Sequence, residues 1–155
     1  MTPPATTAAL LDAARARLAG SPREGLGRQK DSRWRGTRIM PVGDAWHIGA
    51  LLLTDDQVFA TGEVLRATAP VRRGYAAESA RERADRRAQA RKGGFSEGAT
   101  VHVGWREIDT AVVDAGGASG PLALVDGVPS IRWSTGGMYM PLQAYLEERL
   151  ALMGR

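Results

Sequence analysis

The stretch AWHIGALLLT, residues 45–54, constrains the fold most, because its apolar side chains occupy both odd and even positions. Trp46, Ile48 and Leu52 point to one side of an extended strand, whose side chains alternate between two faces. Leu51 and Leu53 point to the other side. A strand that is apolar on both sides has to be covered on both sides. We therefore expect residues 45–54 to form one central strand of a covered sheet.

Three further segments, TRIMPV, QVFATGEVLRA and ATVHVGWREI, are typical of strands in their β-branched and apolar residues. PLALVDGVPSIRW predicts a hairpin, since Asp126 and Gly127 accept the positive φ angles of a two-residue turn. Gly62 is placed to form a bulge. Residues 21–36 mix glycine, proline and charge without a period, so we expect no regular element there.

Helical patterns occur near both ends of the chain and once between them. Thr6 or Thr7 can cap a first helix that Gly20 ends, and Pro141 opens a last one. Residues 75–92 predict a helix rich in arginine and alanine. Its alanine stripe buries too little apolar area to hold it firmly, so we expect it to protrude.

Together these patterns predict an α+β fold. We expect a mainly antiparallel, twisted or partly closed sheet of five to seven strands, with N- and C-terminal helices packed on it and one protruding Arg/Ala-rich helix. The chain is expected to form one domain over residues 1–155. It comprises an N-terminal helix and basic segment (1–36) and a β-rich body (37–155) that contains the helix at about 75–92. The expected core residues are Ile48, Leu52, Val64, Val101, Val103, Leu124, Ile131, Trp133, Leu146 and Leu150.

Charge is distributed unevenly along this chain, whose net charge is +4. Residues 15–38 carry eight basic and two acidic side chains, and residues 71–92 carry eight basic and three acidic ones. These windows hold +6 and +5, so the remainder holds −7. We therefore expect two basic arms attached to an acidic body. Most of the basic residues are arginine, which forms paired hydrogen bonds with phosphate or carboxylate.

Several classes of function are excluded by the composition. There is no cysteine, which rules out disulfides, thiolate zinc sites and cysteine nucleophiles. The first twenty residues lack the basic start of a secretion signal, and no segment approaches the roughly 20 apolar residues of a membrane span. The glycine loop at residues 114–121 lacks the lysine and the following helix of a phosphate-binding loop. We expect a soluble cytoplasmic protein without a cofactor.

His47 and His102 share a sequence context, because each lies two residues before a glycine on the same predicted strand face. If the two strands are neighbours, the glycines leave a small polar cavity to which Arg132 could also point. His47, His102 and Arg132 are therefore a candidate pocket for an anion, with acid-base capacity near neutral pH. Alternatively, both histidines are hydrogen-bonded residues of a sheet face. No metal is expected, since Asp44 and Glu107 do not fall at a metal-ligand spacing.

The basic arms are the remaining functional feature. Trp34 lies among Arg33, Arg35 and Arg38, where its ring could stack on a base. The candidate contact residues of the helix are Arg81, Arg83, Arg86, Arg87 and Arg91. We favour a non-enzymatic binding or self-association module whose partner is an acidic protein or a second copy. The alternatives are a small hydrolase-like enzyme that uses the histidine pocket and a weak nucleic-acid binder.

The segments ALLLTDDQVFATGEVLRA, RKGGFSEGATVHVGW and SGPLALVDGVPSIRWSTGGMYMPLQAYLEERLALM resemble a group of short actinobacterial proteins without an established role. The resemblance covers most of the chain from Arg38 onward. Some members are labelled glutaminase, which would imply a hydrolase. Serine-dependent glutaminases need Ser-x-x-Lys, whereas neither Lys30 nor Lys92 lies three residues after a serine, and amidotransferase glutaminases need a cysteine. The resemblance therefore assigns no catalytic residue.

Overall fold

The computed structural model describes residues 5–70, 77–134 and 136–154, which form an α+β fold of four helices and eleven strands. The helices are α1 (Thr7–Leu18), α2 (Glu78–Lys92), α3 (Thr110–Asp114) and α4 (Leu142–Met153). The strands are β1 (Glu24–Ser32), β2 (Gly36–Ile48), β3 (Leu51–Leu53), β4 (Val58–Ala60), β5 (Glu63–Arg66), β6 (Thr100–Val103), β7 (Arg106–Glu107), β8 (Ala118–Ser119), β9 (Leu122–Val125), β10 (Val128–Arg132) and β11 (Tyr139–Pro141). Within these ranges no helix is both long enough and apolar enough to cross a membrane.

The strands form two sheets. Pairing in the seven-stranded sheet runs β5-β6-β1-β2-β3-β4-β7, and pairing in the four-stranded sheet runs β11-β10-β9-β8. Strands β1 and β6 pair in parallel while the other pairs are antiparallel, so the larger sheet is mixed. This sheet is open, and the partly closed form that the sequence also allowed is not adopted.

The chain folds as two compact units that differ in charge. The basic unit comprises residues 23–45 and 61–105, with fifteen basic and eight acidic side chains and a net charge of +7. The acidic unit comprises residues 1–22, 46–60 and 106–155, with six basic and nine acidic side chains and a net charge of −3. The segregation of charge along the sequence is therefore also a segregation between units of the fold.

The acidic unit has its own apolar core, which α1, α3 and α4 share with strands of both sheets. Thr6 caps α1 by accepting a hydrogen bond from the Ala9 backbone, and Pro141 precedes α4, so both predicted helix starts are confirmed. The prediction that Trp133 is a core residue is wrong, since 56% of its surface is exposed. It lies one residue beyond the end of β10, where strand alternation no longer fixes the side of a residue.

The prediction of one continuous strand over residues 45–54 is wrong, because the segment contains a turn between two strands. Gly49 adopts a φ of +57° and turns the chain, so that β2 ends and β3 returns beside it with Trp46 opposite Leu53. The Ala50 backbone N–H donates to the Tyr145 hydroxyl at 2.9 Å, which holds the turn. The expected burial is confirmed, because Leu51 and the two leucines after it are fully buried.

The basic unit contains a nine-residue strand, β1, where the sequence predicted no regular element. β1 pairs with β2 along its length, from Glu24 opposite Ala45 to Ser32 opposite Gly36. Its glycines allow close packing against the apolar core of the basic unit, which we call the second core. A Cβ atom at Gly25 would lie 2.6 Å from the Phe95 ring. Glycine inside a strand thus marks a close approach here and not a loop.

The first half of α2 is exposed, as expected for a protruding helix, and its second half packs on β5. Ala90 is buried in the second core with Ile39, Leu65 and Phe95. The start of this helix was predicted at Tyr75, which lies outside the described residues, and α2 begins at Glu78. This packing was not predicted, because the alanines of α2 bury little area and the hydrogen bonds of its arginines have no local sequence signal.

Candidate anion-binding site

The hairpin of β1 and β2 presents a row of cations on one face. Residues that pair across two strands share a face, and here Lys30 pairs with Arg38 while Arg28 pairs with Met40. Arg28 and Lys30 are exposed and Arg38 is half-buried. Ile39 points the opposite way, into the second core. We call Arg28, Lys30 and Arg38, with Arg33 and Arg35 of the connecting loop, the basic hairpin face.

The loop at the end of this hairpin is closed by a serine and a glycine. Ser32 Oγ accepts hydrogen bonds from the backbone N–H groups of Trp34 and Arg35, at 3.3 Å and 3.2 Å. Gly36 adopts a φ of +70°, the left-handed conformation that a three-residue hairpin loop needs. Side chain and backbone together fix the turn.

Two further contacts hold the same loop in place. The Thr37 hydroxyl donates to Asp31 across the hairpin at 2.8 Å. Lys92, the last residue of α2, donates from Nζ to the Arg35 carbonyl. The loop is therefore tied both to its own strands and to the helix behind it.

Trp34 projects from the middle of this ordered loop into solvent. Its surface is 91% exposed, the highest value among the exposed large hydrophobic residues of the described chain. Arg33 and Arg35 flank it and are also exposed. Trp34 therefore presents its indole ring to solvent, with an exposed arginine on either side of it in the sequence.

Trp105 is the second tryptophan of the basic unit, and it holds Arg28. The Arg28 guanidinium carbon lies 5.3 Å from the centre of the Trp105 ring, within the range of a cation–π contact. Trp105 Nε1 donates to the Gly27 carbonyl at 3.0 Å, which fixes the ring against β1. This pair borders a groove of about 550 Å³ whose other walls include Gln29 and Ile39.

A bidentate ion pair forms another wall of this groove. Arg86 of α2 donates from Nε and Nη2 to the two carboxylate oxygens of Glu63, at 2.6 Å and 2.8 Å. The hydrogen bond with Glu63 raises the pKa of Arg86 above its ordinary value, although partial burial acts in the opposite direction. The charge of Arg86 is thus paired within the unit.

Other arginines of α2 that were predicted to contact a partner also bond inside the basic unit. Arg83 donates to the Val64 carbonyl at 3.3 Å, and Arg87 donates to the Arg66 carbonyl at 3.1 Å. Arg91 lies 3.6 Å from the Glu97 carboxylate. Arg81 is exposed in the first half of the helix. Of the predicted contact residues, Arg33, Trp34, Arg35 and Arg38 are the ones that the fold gathers in one hairpin.

Each residue of the predicted histidine pocket makes at least one polar or ring contact within its own unit. His102, in the basic unit, is fully buried, and its Nε2 lies 2.9 Å from the Glu24 carboxylate. His47, in the acidic unit, has its Nε2 2.9 Å from the Gly49 carbonyl, so this nitrogen carries the proton. Arg132, also in the acidic unit, lies over the Tyr139 ring. Their grouping into one pocket stays a prediction.

Sequence reasoning missed Arg28, Lys30 and Trp105 as members of the candidate site. Arg28 and Lys30 occupy alternate positions, which would have indicated one strand face if residues 21–36 had been recognised as extended. Trp105 was placed on a strand face, but nothing in its neighbourhood indicated Arg28, which lies 77 positions earlier.

Comparisons with known proteins identify no relative: no protein-family model, no curated protein and no solved structure matches this chain. The similarity to actinobacterial proteins therefore stays a prediction. The function has to be argued from the chain's own residues.

Proposed function

We propose that the basic unit is a non-enzymatic binding module that contacts an anionic macromolecule through the basic hairpin face and Trp34. The observation that carries the proposal is the 91% exposure of Trp34 on an ordered loop between two arginines. Burial of a tryptophan ring releases a large apolar area from water. In this protein the indole of Trp34 stays in solvent, so the free energy of burying it becomes available when a partner covers the ring.

The construction of the loop supports a binding role. Tryptophan and arginine are the residue types that most often contribute strongly to binding. Because Ser32, Gly36 and Lys92 already order the loop, the loop loses little conformational entropy when a partner binds there.

The charge of the unit indicates an anionic partner. A net charge of +7 attracts anions over a distance set by the Debye length, about 8 Å at physiological ionic strength. Arginine predominates on the hairpin, and its planar guanidinium can form two parallel hydrogen bonds with one phosphate or carboxylate.

A second copy of the chain is the other candidate partner. The acidic unit carries −3, so the basic unit of one molecule could bind the acidic unit of another. Such an association would also weaken with salt. Sedimentation of the protein alone at low and high salt separates this candidate from binding to a foreign polymer.

The proposal is tested by fluorescence anisotropy with three labelled probes: a single-stranded oligodeoxythymidylate, a DNA duplex and poly-L-glutamate. We expect at least one probe to bind at about 50 mM salt and to lose most of its affinity at about 200 mM. The double variant Arg33→Gln, Arg35→Gln should make the slope of log affinity against log salt shallower by roughly 0.7 to 0.9 per nucleic-acid phosphate contact removed.

The matched control is Arg17→Gln, Arg106→Gln, which removes the same charge from exposed residues of the acidic unit. It should leave the salt slope near that of the unmodified protein. If none of the three polymers binds at low salt, or if the control variant loses as much affinity as the hairpin variant, the proposal is wrong.

A further inference from the structure

We infer that the anionic partner is a single-stranded nucleic acid, which stacks a base on Trp34 and runs along β1 to the Arg28–Trp105 pair. This inference rests on the proposed function and names its partner. It is carried by the placement of two tryptophans at the two ends of one row of cations.

The row has the length of a short single-strand site. Arg28 and Ser32 are four residues apart on β1, which corresponds to about 13 Å at about 3.3 Å per residue, and Trp34 lies beyond Ser32 in the loop. Arg28 and Lys30 occupy alternate positions of β1 and repeat about every 7 Å on one face. Cations at this interval can follow a phosphate backbone, while the indole of Trp34 receives a base.

The same face is a poor match for an acidic protein. The centre of a protein–protein interface holds few aspartate and glutamate residues, whereas an acidic protein would have to place its carboxylates against these cations. On this hairpin Arg33 and Arg35 flank Trp34 in the sequence, while Lys30 pairs with Arg38 and Arg28 pairs with Met40, so cations predominate near the loop. Isolated aromatic rings in a basic groove are instead the usual arrangement of proteins that bind single strands.

A duplex is also disfavoured by the position of Trp34. The bases of a duplex are stacked on one another, so the indole could contact one only after that base had been unstacked. In a single strand the base faces are open, and stacking on an aromatic side chain tolerates any sequence. Arg28 provides a second surface, since a guanidinium that Trp105 holds in place can itself stack on a base.

The inference is tested by comparing three probes at low salt: a labelled oligodeoxythymidylate of about 16 nucleotides, its duplex with oligodeoxyadenylate, which carries about twice the charge, and a poly-L-glutamate that matches the charge of the single strand. We expect the single strand to bind at least about tenfold more tightly than the other two. Trp34→Ala should weaken single-strand binding by about 5- to 140-fold, which corresponds to one lost stacking contact. Trp34→Phe should retain most of the affinity, because phenylalanine also stacks.

The matched control is Trp133→Ala, which removes the other strongly exposed tryptophan, in the acidic unit, and should leave the affinity unchanged. Circular dichroism checks that each variant is folded. If poly-L-glutamate or the duplex binds as tightly as the single strand, the inference is overturned while the proposed function stands. If Trp34→Ala binds the single strand as tightly as the unmodified protein, the inference is overturned, and so is the role of Trp34 in the proposed function. If no probe binds, both are overturned.

Discussion

Two glycines of β1 decide how closely the β1–β2 hairpin packs on the core of the basic unit. A Cβ atom at Gly27 would lie 2.5 Å from Ile39 Cγ2 and 2.9 Å from Val101 Cγ1, and one at Gly25 would lie 2.6 Å from the Phe95 ring. These distances are shorter than normal van der Waals contacts between carbon atoms that are not bonded to each other. The sequence around the two glycines was interpreted as irregular because Phe95 and Val101 are far away in the chain.

We predict that Gly27→Ala lowers the free energy of unfolding by about 1–3 kcal/mol, the usual cost of adding a methyl group to a filled site. Urea denaturation monitored by circular dichroism measures this change. Gly154→Ala is the control, because a Cβ atom there meets nothing nearer than the Leu150 carbonyl at 3.7 Å. A Gly27→Ala variant as stable as the Gly154→Ala variant would contradict the packing described for β1.

At the scale of elements, α1 depends on a carboxylate from another helix. Asp114, at the end of α3, accepts hydrogen bonds from the backbone N–H groups of Thr7 and Ala8, at 2.8 Å and 3.4 Å. Burial opposes its ionisation, but the hydrogen bonds from Thr7 and Ala8 outweigh burial and lower the pKa of Asp114. A negative charge at a helix N-terminus also interacts favourably with the helix dipole.

We predict that Asp114→Ala lowers the free energy of unfolding by about 1 kcal/mol at pH 7, and that Asp114→Asn has a smaller effect. Because the pKa is lowered in the folded state, the stabilisation by the charge is fully present above the unfolded pKa of about 3.9. It is lost as the pH falls through the lower folded pKa. Urea denaturation from pH 7 to about pH 3 should therefore show the difference between unmodified protein and Asp114→Asn constant at first and then decreasing. A difference independent of pH over this range would contradict the assignment.

The elements that could be predicted from sequence are those with a local signal. Asp126 and Gly127 adopt φ angles of +51° and +78° in the expected hairpin turn, and Thr6 caps α1 as expected. The turn at Gly49 was missed because apolar residues on both sides of it suit a buried strand and a buried hairpin equally. The anchoring of α2 was missed because Arg83 and Arg87 bond to carbonyl groups of β5, which no local pattern indicates.

At the scale of the whole molecule, the sequence predicted basic arms on an acidic body, and the fold places the charge in two units of +7 and −3. Part of the candidate site was also predicted, since Arg33, Trp34, Arg35 and Arg38 meet in one hairpin. The arginines of α2 were also predicted to contact a partner, because the sequence shows a charge but not the group that pairs with it. Arg86, for example, is paired with Glu63.

The most direct test follows the indole N–H signals of the four tryptophans in a two-dimensional ¹H–¹⁵N spectrum during titration with the oligodeoxythymidylate and, separately, with poly-L-glutamate. Trp34 lies in the loop of the β1–β2 hairpin, Trp105 holds Arg28, and Trp46 and Trp133 lie in the acidic unit. We predict that at least one of the two polymers shifts the Trp34 signal most and the Trp105 signal less, and leaves those of Trp46 and Trp133 in place. A Trp34 signal that stays fixed with both polymers while the Trp133 signal moves would contradict the account.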